Sequence, residues 1–319
     1  MGMTPGSMPG FGLINVIEVA GTALAAQERE AAERSVRYPA LMGGGPAQFW
    51  LAAYDGRWRI VLGAESDPWD VRVGFASHLR RTGRRTRDPA VRAEMFRLAT
   101  RLDPGLDRGR PARGNEWVVG GRRYRVVRGH EFVRWGADGP EPARVTDVDP
   151  ADRHPERGFL LDPVAPTAPT EAALRLDLVN LVPEPGTVSA QTWLDARAAL
   201  ERYPGIVLLP LCYRAMELRD GDWTPVGQAS GPGRAREALA GYFREILPRF
   251  PPPGWTADEV AEAVRTAGCP PGRITGDLVV AGHLFRIIRG VRMIRVGPDG
   301  PEPSRASDEP DLPDWWPAG

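Results

Sequence analysis

The chain contains no lysine: all 41 of its basic residues are arginine. That absence excludes Schiff-base catalysis, a phosphate-loop lysine and a kinase lysine, each of which needs an amine. Net charge is absent as well, because 41 Asp and Glu residues balance the arginines. A neutral chain has no general attraction for nucleic acid or membranes, which argues against both as partners. Cysteine is scarce. Cys212 and Cys269 stand in unrelated contexts, so neither a disulfide framework nor a Cys-rich zinc site is expected, and the cytoplasm is the simplest location. The four histidines, His78, His130, His154 and His283, show no metal-ligand spacing, and we expect no metal and no cofactor. No run approaches the roughly 18 apolar residues of a membrane span. Residues 11–26 (FGLINVIEVAGTALAA) are interrupted by Glu18 and follow no basic residue, so they read as a packed helix or strand rather than a leader. Neither a GxSxG elbow, a phosphate-binding loop nor an HExxH motif occurs. Gly43-Gly44-Gly45 lacks the order of a dinucleotide fingerprint and reads as a flexible loop entering a strand.

What the chain does have is an internal repeat. Residues 116–147, EWVVGGRRYRVVRGHEFVRWGADGPEPARVTD, return as residues 277–308, DLVVAGHLFRIIRGVRMIRVGPDGPEPSRASD. At an offset of 161, 15 of the 32 positions are identical, against roughly two or three expected by chance from this composition; a fixed-period repeat of this kind sets the architecture. Upstream the offset is 165, carried by Arg37-Tyr38-Pro39 with Arg202-Tyr203-Pro204 and by Asp55-Gly56 with Asp220-Gly221. Four residues are therefore missing from the second copy, in the loop corresponding to 103–115. The expected organisation is a first unit at 1–147, a Pro- and Ala-rich linker at 148–172, and a second unit at 173–319 ending in an acidic tail with Trp315 and Trp316. Adjacent tryptophans rarely stay exposed, so that tail is expected to fold back or to bind a partner.

Within one unit the periodicities give helix, two strands, two helices and a β-meander. Residues 26–37 read as a helix stopped by Pro39. Residues 47–54 and 58–64 read as strands joined by the hairpin signal Asp55-Gly56. Two helices follow at 68–82 and 88–102, the second with Asp88 as cap and Pro89 at its first position. Their counterparts are 232–247 and 256–268, where Thr256 and Glu259 have capping-box spacing. The meander is read as three strands, with a turn at Gly120-Gly121 and the last strand at Phe132 to Trp135. This order defines an α+β fold with mostly antiparallel sheet, the two units packing about a pseudo-dyad.

The candidate ligand-binding residues lie at the meander's end: Arg134, Asp138, Glu141 and Arg144, with Arg295, Asp299, Glu302 and Arg305 at the same places in the second copy. Arginine recognises phosphate or carboxylate bidentately, so a rigid Asp-Gly-Pro turn flanked by guanidiniums could present such a site. The simpler reading is a tight turn whose Arg, Asp and Glu pair with one another to hold the strand exit. Arg125 and Arg128, three residues apart on one strand, belong on opposite faces and form no single basic patch. The run Arg80-Arg81-Thr-Gly-Arg84-Arg85-Thr-Arg87 is the one dense basic cluster. It reads as a solvated loop between helices or, in one unit only, a contact for an acidic partner.

The meander and its RxGxDGPExxR ending, present at 134–144 and 295–305, resemble an actinobacterial family of unknown function over most of the chain. The resemblance implies a bacterial cytosolic protein and brings no activity, cofactor or catalytic residue with it. The reading from residues is a non-catalytic binding or protein-interaction module built from two repeats, whose partner is a protein or an anionic small molecule. The alternative is an enzyme acting on an anionic small molecule at the cleft between repeats, with Asp138 or Asp299 as general base.

Overall fold

A computed structural model of the chain describes residues 10–104, 112–267 and 276–309. Its centre is one 12-stranded, antiparallel sheet to which both repeats contribute six strands each. The first repeat supplies β1 (Ala40–Gly43), β2 (Gln48–Tyr54), β3 (Trp58–Glu65), β4 (Glu116–Val119), β5 (Arg122–Gly136) and β6 (Gly139–Pro140). The second supplies β7 (Gly205–Leu208), β8 (Cys212–Arg219), β9 (Asp222–Ala229), β10 (Asp277–Val280), β11 (His283–Gly297) and β12 (Gly300–Pro301). The main path runs β9-β8-β11-β5-β2-β3, so the long strands of the two meanders lie side by side at the middle.

The register makes the relation between the halves explicit. Gly129 pairs with Ile294, Val133 with Gly290, and Glu131 with Arg292 at the midpoint. Because 129 and 133 correspond to 290 and 294 at an offset of 161, each repeat makes toward the other the contact it receives. The exchange extends beyond the sheet. The Arg128 amide donates to the Glu302 carbonyl at 2.8 Å, and the Arg289 amide to the Glu141 carbonyl at 3.0 Å.

Seven α-helices occur among the described residues: α1 (Thr22–Arg37), α2 (Pro68–Arg85), α3 (Pro89–Leu102), α4 (Pro169–Val179), α5 (Ala190–Arg202), α6 (Pro232–Gly241) and α7 (Ala257–Thr266). Local chemistry fixes their starts. Asp67 and Asp88 accept amide hydrogens of the first turns of α2 and α3, each followed by proline, and Thr256 with Glu259 closes a capping box on α7. Residues of alternate parity on each strand then sort to two faces. Phe49, Leu51, Ala53, Tyr124 and Val126 pack under Val71, Phe75 and Leu79 of α2 and Met95 and Leu98 of α3. Tyr213, Ala215, Phe285 and Ile287 pack under Leu239 of α6, with Phe243 and Leu247. Between these layers α4 covers the middle with Leu174, Leu178 and Val179 on Phe132, Val291 and Met293. The opposite face carries Trp50, Ala52, Trp58, Ile60 and Val127 with Leu161, Val207 and Ile294.

Three details differ from the sequence reading. The last two strands expected in the meander are one 15-residue strand, β5, running through Gly129. The glycine does not break the strand but lets it approach its neighbours: a Cβ there would lie 2.5 Å from the Met293 carbonyl oxygen and 2.6 Å from Trp50. The basic run 80–87 is mostly helix, since α2 continues to Arg85, and Arg80 pairs with Asp103 at 2.6 Å. The stretch 148–172, expected as an ordered or semi-extended linker, lies along the body: Ile60 donates to Phe159 at 3.0 Å and Leu161 to Trp58 at 2.9 Å, and α4 begins at Pro169. The repeat offset also steps to 164 in β2 and β8, because Gln48 pairs with Gly129 while Cys212 pairs with Gly290. Trp50 therefore corresponds to Arg214 and not to Ala215. The tail with Trp315 and Trp316, and Cys269, lie outside the described residues.

Candidate functional site

The two DGPEP turns act across the seam between repeats. Arg125 of β5 reaches the second repeat's turn, donating Nη1 to the carbonyls of Asp299 (3.1 Å) and Pro301 (2.8 Å) and Nη2 to the Asp299 carboxylate (2.7 Å). Arg286 of β11 does the same in reverse, donating to the carbonyls of Asp138 (2.8 Å) and Pro140 (3.0 Å). Each guanidinium also lies over a tryptophan of the half it joins to the turn, Arg125 over Trp58 at 4.9 Å and Arg286 over Trp223 at 4.7 Å.

The eight residues singled out from sequence are distributed as follows. Asp138 accepts from Arg37 (2.9 Å) and Tyr38 (3.2 Å). Partial burial raises its carboxyl, but those two donors outweigh burial and hold it below the usual range. Asp299 is held low by Arg123 and then Arg125. Glu141 is buried and takes Arg144 Nε at 2.7 Å; Glu302 takes Arg305 Nε at 2.8 Å. Arg134 donates to the Tyr38 carbonyl (3.4 Å) at the end of α1. Arg295 donates to the carbonyls of Leu178, Val179 and Leu181, closing the C-terminus of α4. Burial lowers Arg295 to about 10. The turns thus bring these groups together as pairs and caps at two separate places, with their charges directed at one another.

One neighbour of this lattice titrates. His130 on β5 touches Arg128, which is itself bound to Asp308 at 2.9 Å. Burial, then Arg128, Arg305 and Arg295, push the His130 imidazole well below its ordinary value, so it is neutral in the folded chain at pH 7. The unfolded chain takes up this proton near pH 6.5. The stabilisation is therefore present above about pH 6.5 and is lost as pH falls toward the folded value. Between pH 6.5 and 5.5 the loss should reach about 1 kcal/mol. Urea midpoints at the two pH values should show it in the wild type and not in His130→Val, which installs the residue found at the equivalent position 291.

A second polar cluster lies on the opposite face, at the midpoint of the β5–β11 pair. Two bulges frame it. Residues 44–47, between β1 and β2, stand opposite only His130 and Glu131; residues 209–211, between β7 and β8, stand opposite only Val291 and Arg292. Bulges of this kind re-aim side chains beside functional sites. The Gly44 amide donates to the Glu131 carbonyl at 2.7 Å, and Arg214 reaches across the seam to the Gly44 carbonyl at 2.8 Å. Glu131, 1% exposed, receives Arg214 Nη2 (2.7 Å) and Gln48 Nε2 (3.1 Å) on the same oxygen. Arg292 holds the Pro210 carbonyl at 2.9 Å and lies 6.0 Å from the centre of the Trp50 ring. A Cβ on Gly290 would meet Cys212 Sγ at 2.6 Å and Glu131 Oε1 at 2.9 Å, so the glycine makes room for both.

The cluster's hydrogen bonding is incomplete. Among the described residues, Trp50 Nε1, Arg292 Nε, Arg214 Nε and Gln48 Oε1 are buried without a hydrogen-bond partner, while Glu131 takes the Cys212 thiol. Buried polar atoms are nearly always satisfied, and orphans gathered in one place mark a spot for water or a ligand. Cys212 offers no nucleophile here: burial, then the Glu131 charge, push its thiol up to about 12. Sequence reasoning missed this site because its members come from four strands and both repeats. The available signals were Gly43-Gly44-Gly45 and the tryptophan at position 50, neither of which specifies a partner.

The chain belongs to a family of unknown function, DUF5954, whose profile matches residues 21–311. No curated protein and no solved structure matches it. No helix among the described residues is long and apolar enough to cross a membrane.

Proposed function

We propose that the protein is a non-catalytic binding module made of two repeats related by a pseudo-dyad through the Glu131–Arg292 pair, and that its ligand sits at that centre. The observation that carries this reading is the pair of unmet donors on Trp50 and Arg292, each 5% exposed or less, gathered around the Glu131 carboxylate beside the part-exposed Arg214. The DGPEP turns serve as fasteners between repeats, since their charges are already paired. A catalytic version using Asp138 or Asp299 as base is disfavoured, because arginine donors depress both carboxyls and weaken them as proton acceptors. The scarcity of cysteine supports a cytoplasmic location, and the motif resemblance supports an actinobacterial origin. A thermal-shift comparison of wild type and folded Glu131→Gln against a chemically mixed fragment panel tests the proposal. At least one fragment should raise the wild-type melting temperature and raise the variant's less. A panel in which every fragment leaves the wild type unmoved, or moves both proteins equally, would sink it.

A further inference from the structure

Resting on that reading, we infer that the centre takes a small carboxylate that also carries an N–H or O–H donor, the chemistry of a hydroxy acid or an amino acid. The orphan atoms dictate both halves. Arg292 Nε, Arg214 Nε and Trp50 Nε1 are three N–H donors and Gln48 Oε1 is an acceptor, while Glu131 takes the Cys212 thiol. Two guanidiniums against one carboxylate leave the cluster with an excess of one positive charge, which favours an oxyanion. A bare cation would face Arg214 and Arg292, both repulsive. An anion without a donor would leave Gln48 Oε1 unsatisfied. Only a ligand offering an oxyanion at one end and a donor at the other completes the whole set.

The fold also supplies selectivity and an entrance. Positions equivalent in the two repeats carry different chemistry here: Gln48 against Cys212, Trp50 against Arg214, and Glu131 against Arg292. The centre therefore presents unlike groups to the two ends of a small asymmetric molecule. Gly45 and Pro46 are exposed, Gln48 is half-buried, and the Arg214 side chain retains 16% of its exposure, so the first bulge forms the mouth.

Isothermal titration of the full chain with glycolate, acetate and ethylene glycol tests this. Glycolate should bind saturably, with ethylene glycol weaker by about tenfold or more, since it lacks the charge-assisted contact, and acetate weaker by about threefold or more, since it lacks the hydroxyl donor to Gln48. Arg292→Met should weaken glycolate by about tenfold. Arg214→Met, at the more exposed mouth, gives the same test if Arg292→Met does not fold. Acetate equal to glycolate, ethylene glycol tighter than glycolate, or glycolate binding unchanged in a folded arginine variant overturns the ligand class. Silence from glycolate while a panel fragment still acts through Glu131 overturns this inference alone. Silence from every probe and every fragment overturns the binding module with it.

Discussion

Arg125→Ala is expected to lower the unfolding free energy by about 3 kcal/mol, the cost of stranding a buried carbonyl and losing charge-assisted hydrogen bonds to the part-exposed Glu116 and Asp299. The side chain is 3% exposed. It serves two carbonyls and the carboxylate of the second repeat's turn, takes Glu116 at 2.9 Å through Nε, and stacks over Trp58. Truncation leaves the Pro301 carbonyl buried without a donor. The distinctive part of the expectation is where the damage appears. Arg125 belongs to the first repeat, but amide exchange should accelerate most at residues 299–304 of the second. Arg125→Lys should recover little, because an ammonium cannot span the fork that guanidinium makes to two carbonyls and a carboxylate. Urea denaturation gives the magnitude, and hydrogen exchange the location. A loss below about 1 kcal/mol would mean that the contact behaves as an ordinary surface pair.

Gly300→Ala should be as damaging, by about 3 kcal/mol, from two additive causes. The residue sits at φ +108, where a Cβ costs about 1–2 kcal/mol. That Cβ would also stand 2.2 Å from Trp58 Nε1 and 2.6 Å from Cε2, and overpacking adds about 1–3 kcal/mol. Gly121 separates the two causes: its φ is +74 and nothing lies within 4 Å of a Cβ there. Gly121→Ala should therefore show only the backbone part, about 1 kcal/mol. Equal midpoints for the two variants in urea would remove the Trp58 contact from the account.

The same turns show what sequence can and cannot convey. The hairpin at Asp55-Gly56, the caps at Asp88 and Thr256, and the placement of Arg125 and Arg128 on opposite faces all follow from local chemistry and strand parity. The structure returns each of them, Arg125 toward Asp299 and Arg128 toward Asp308. That Arg, Asp and Glu at the turns would pair was also legible; with whom was not. The partner of Arg125 is 174 residues away, and no local rule encodes a contact between copies. The central cluster was hidden for a sharper reason. Aligning the repeats at 165 sets Trp50 against Ala215, an apolar and unremarkable match. Only the shift to 164 at the bulge exposes Arg214 as its counterpart. A single residue of slippage turns every side chain to the other face of a strand, so a site built on such a shift cannot be read from a gapless alignment.

The exchanged contacts between Arg125 and Pro301 and between Arg286 and Pro140 also bear on how the molecule comes apart. In a tandem protein of independent domains, each half can melt on its own schedule. Here neither half holds a complete set of partners for its own buried arginine or its own turn, and the middle of the sheet is a strand from each. Loss of one half strands charges in the other. The two repeats are therefore expected to unfold as one cooperative unit, with a single transition in urea, so that a lesion in either is felt in the whole chain.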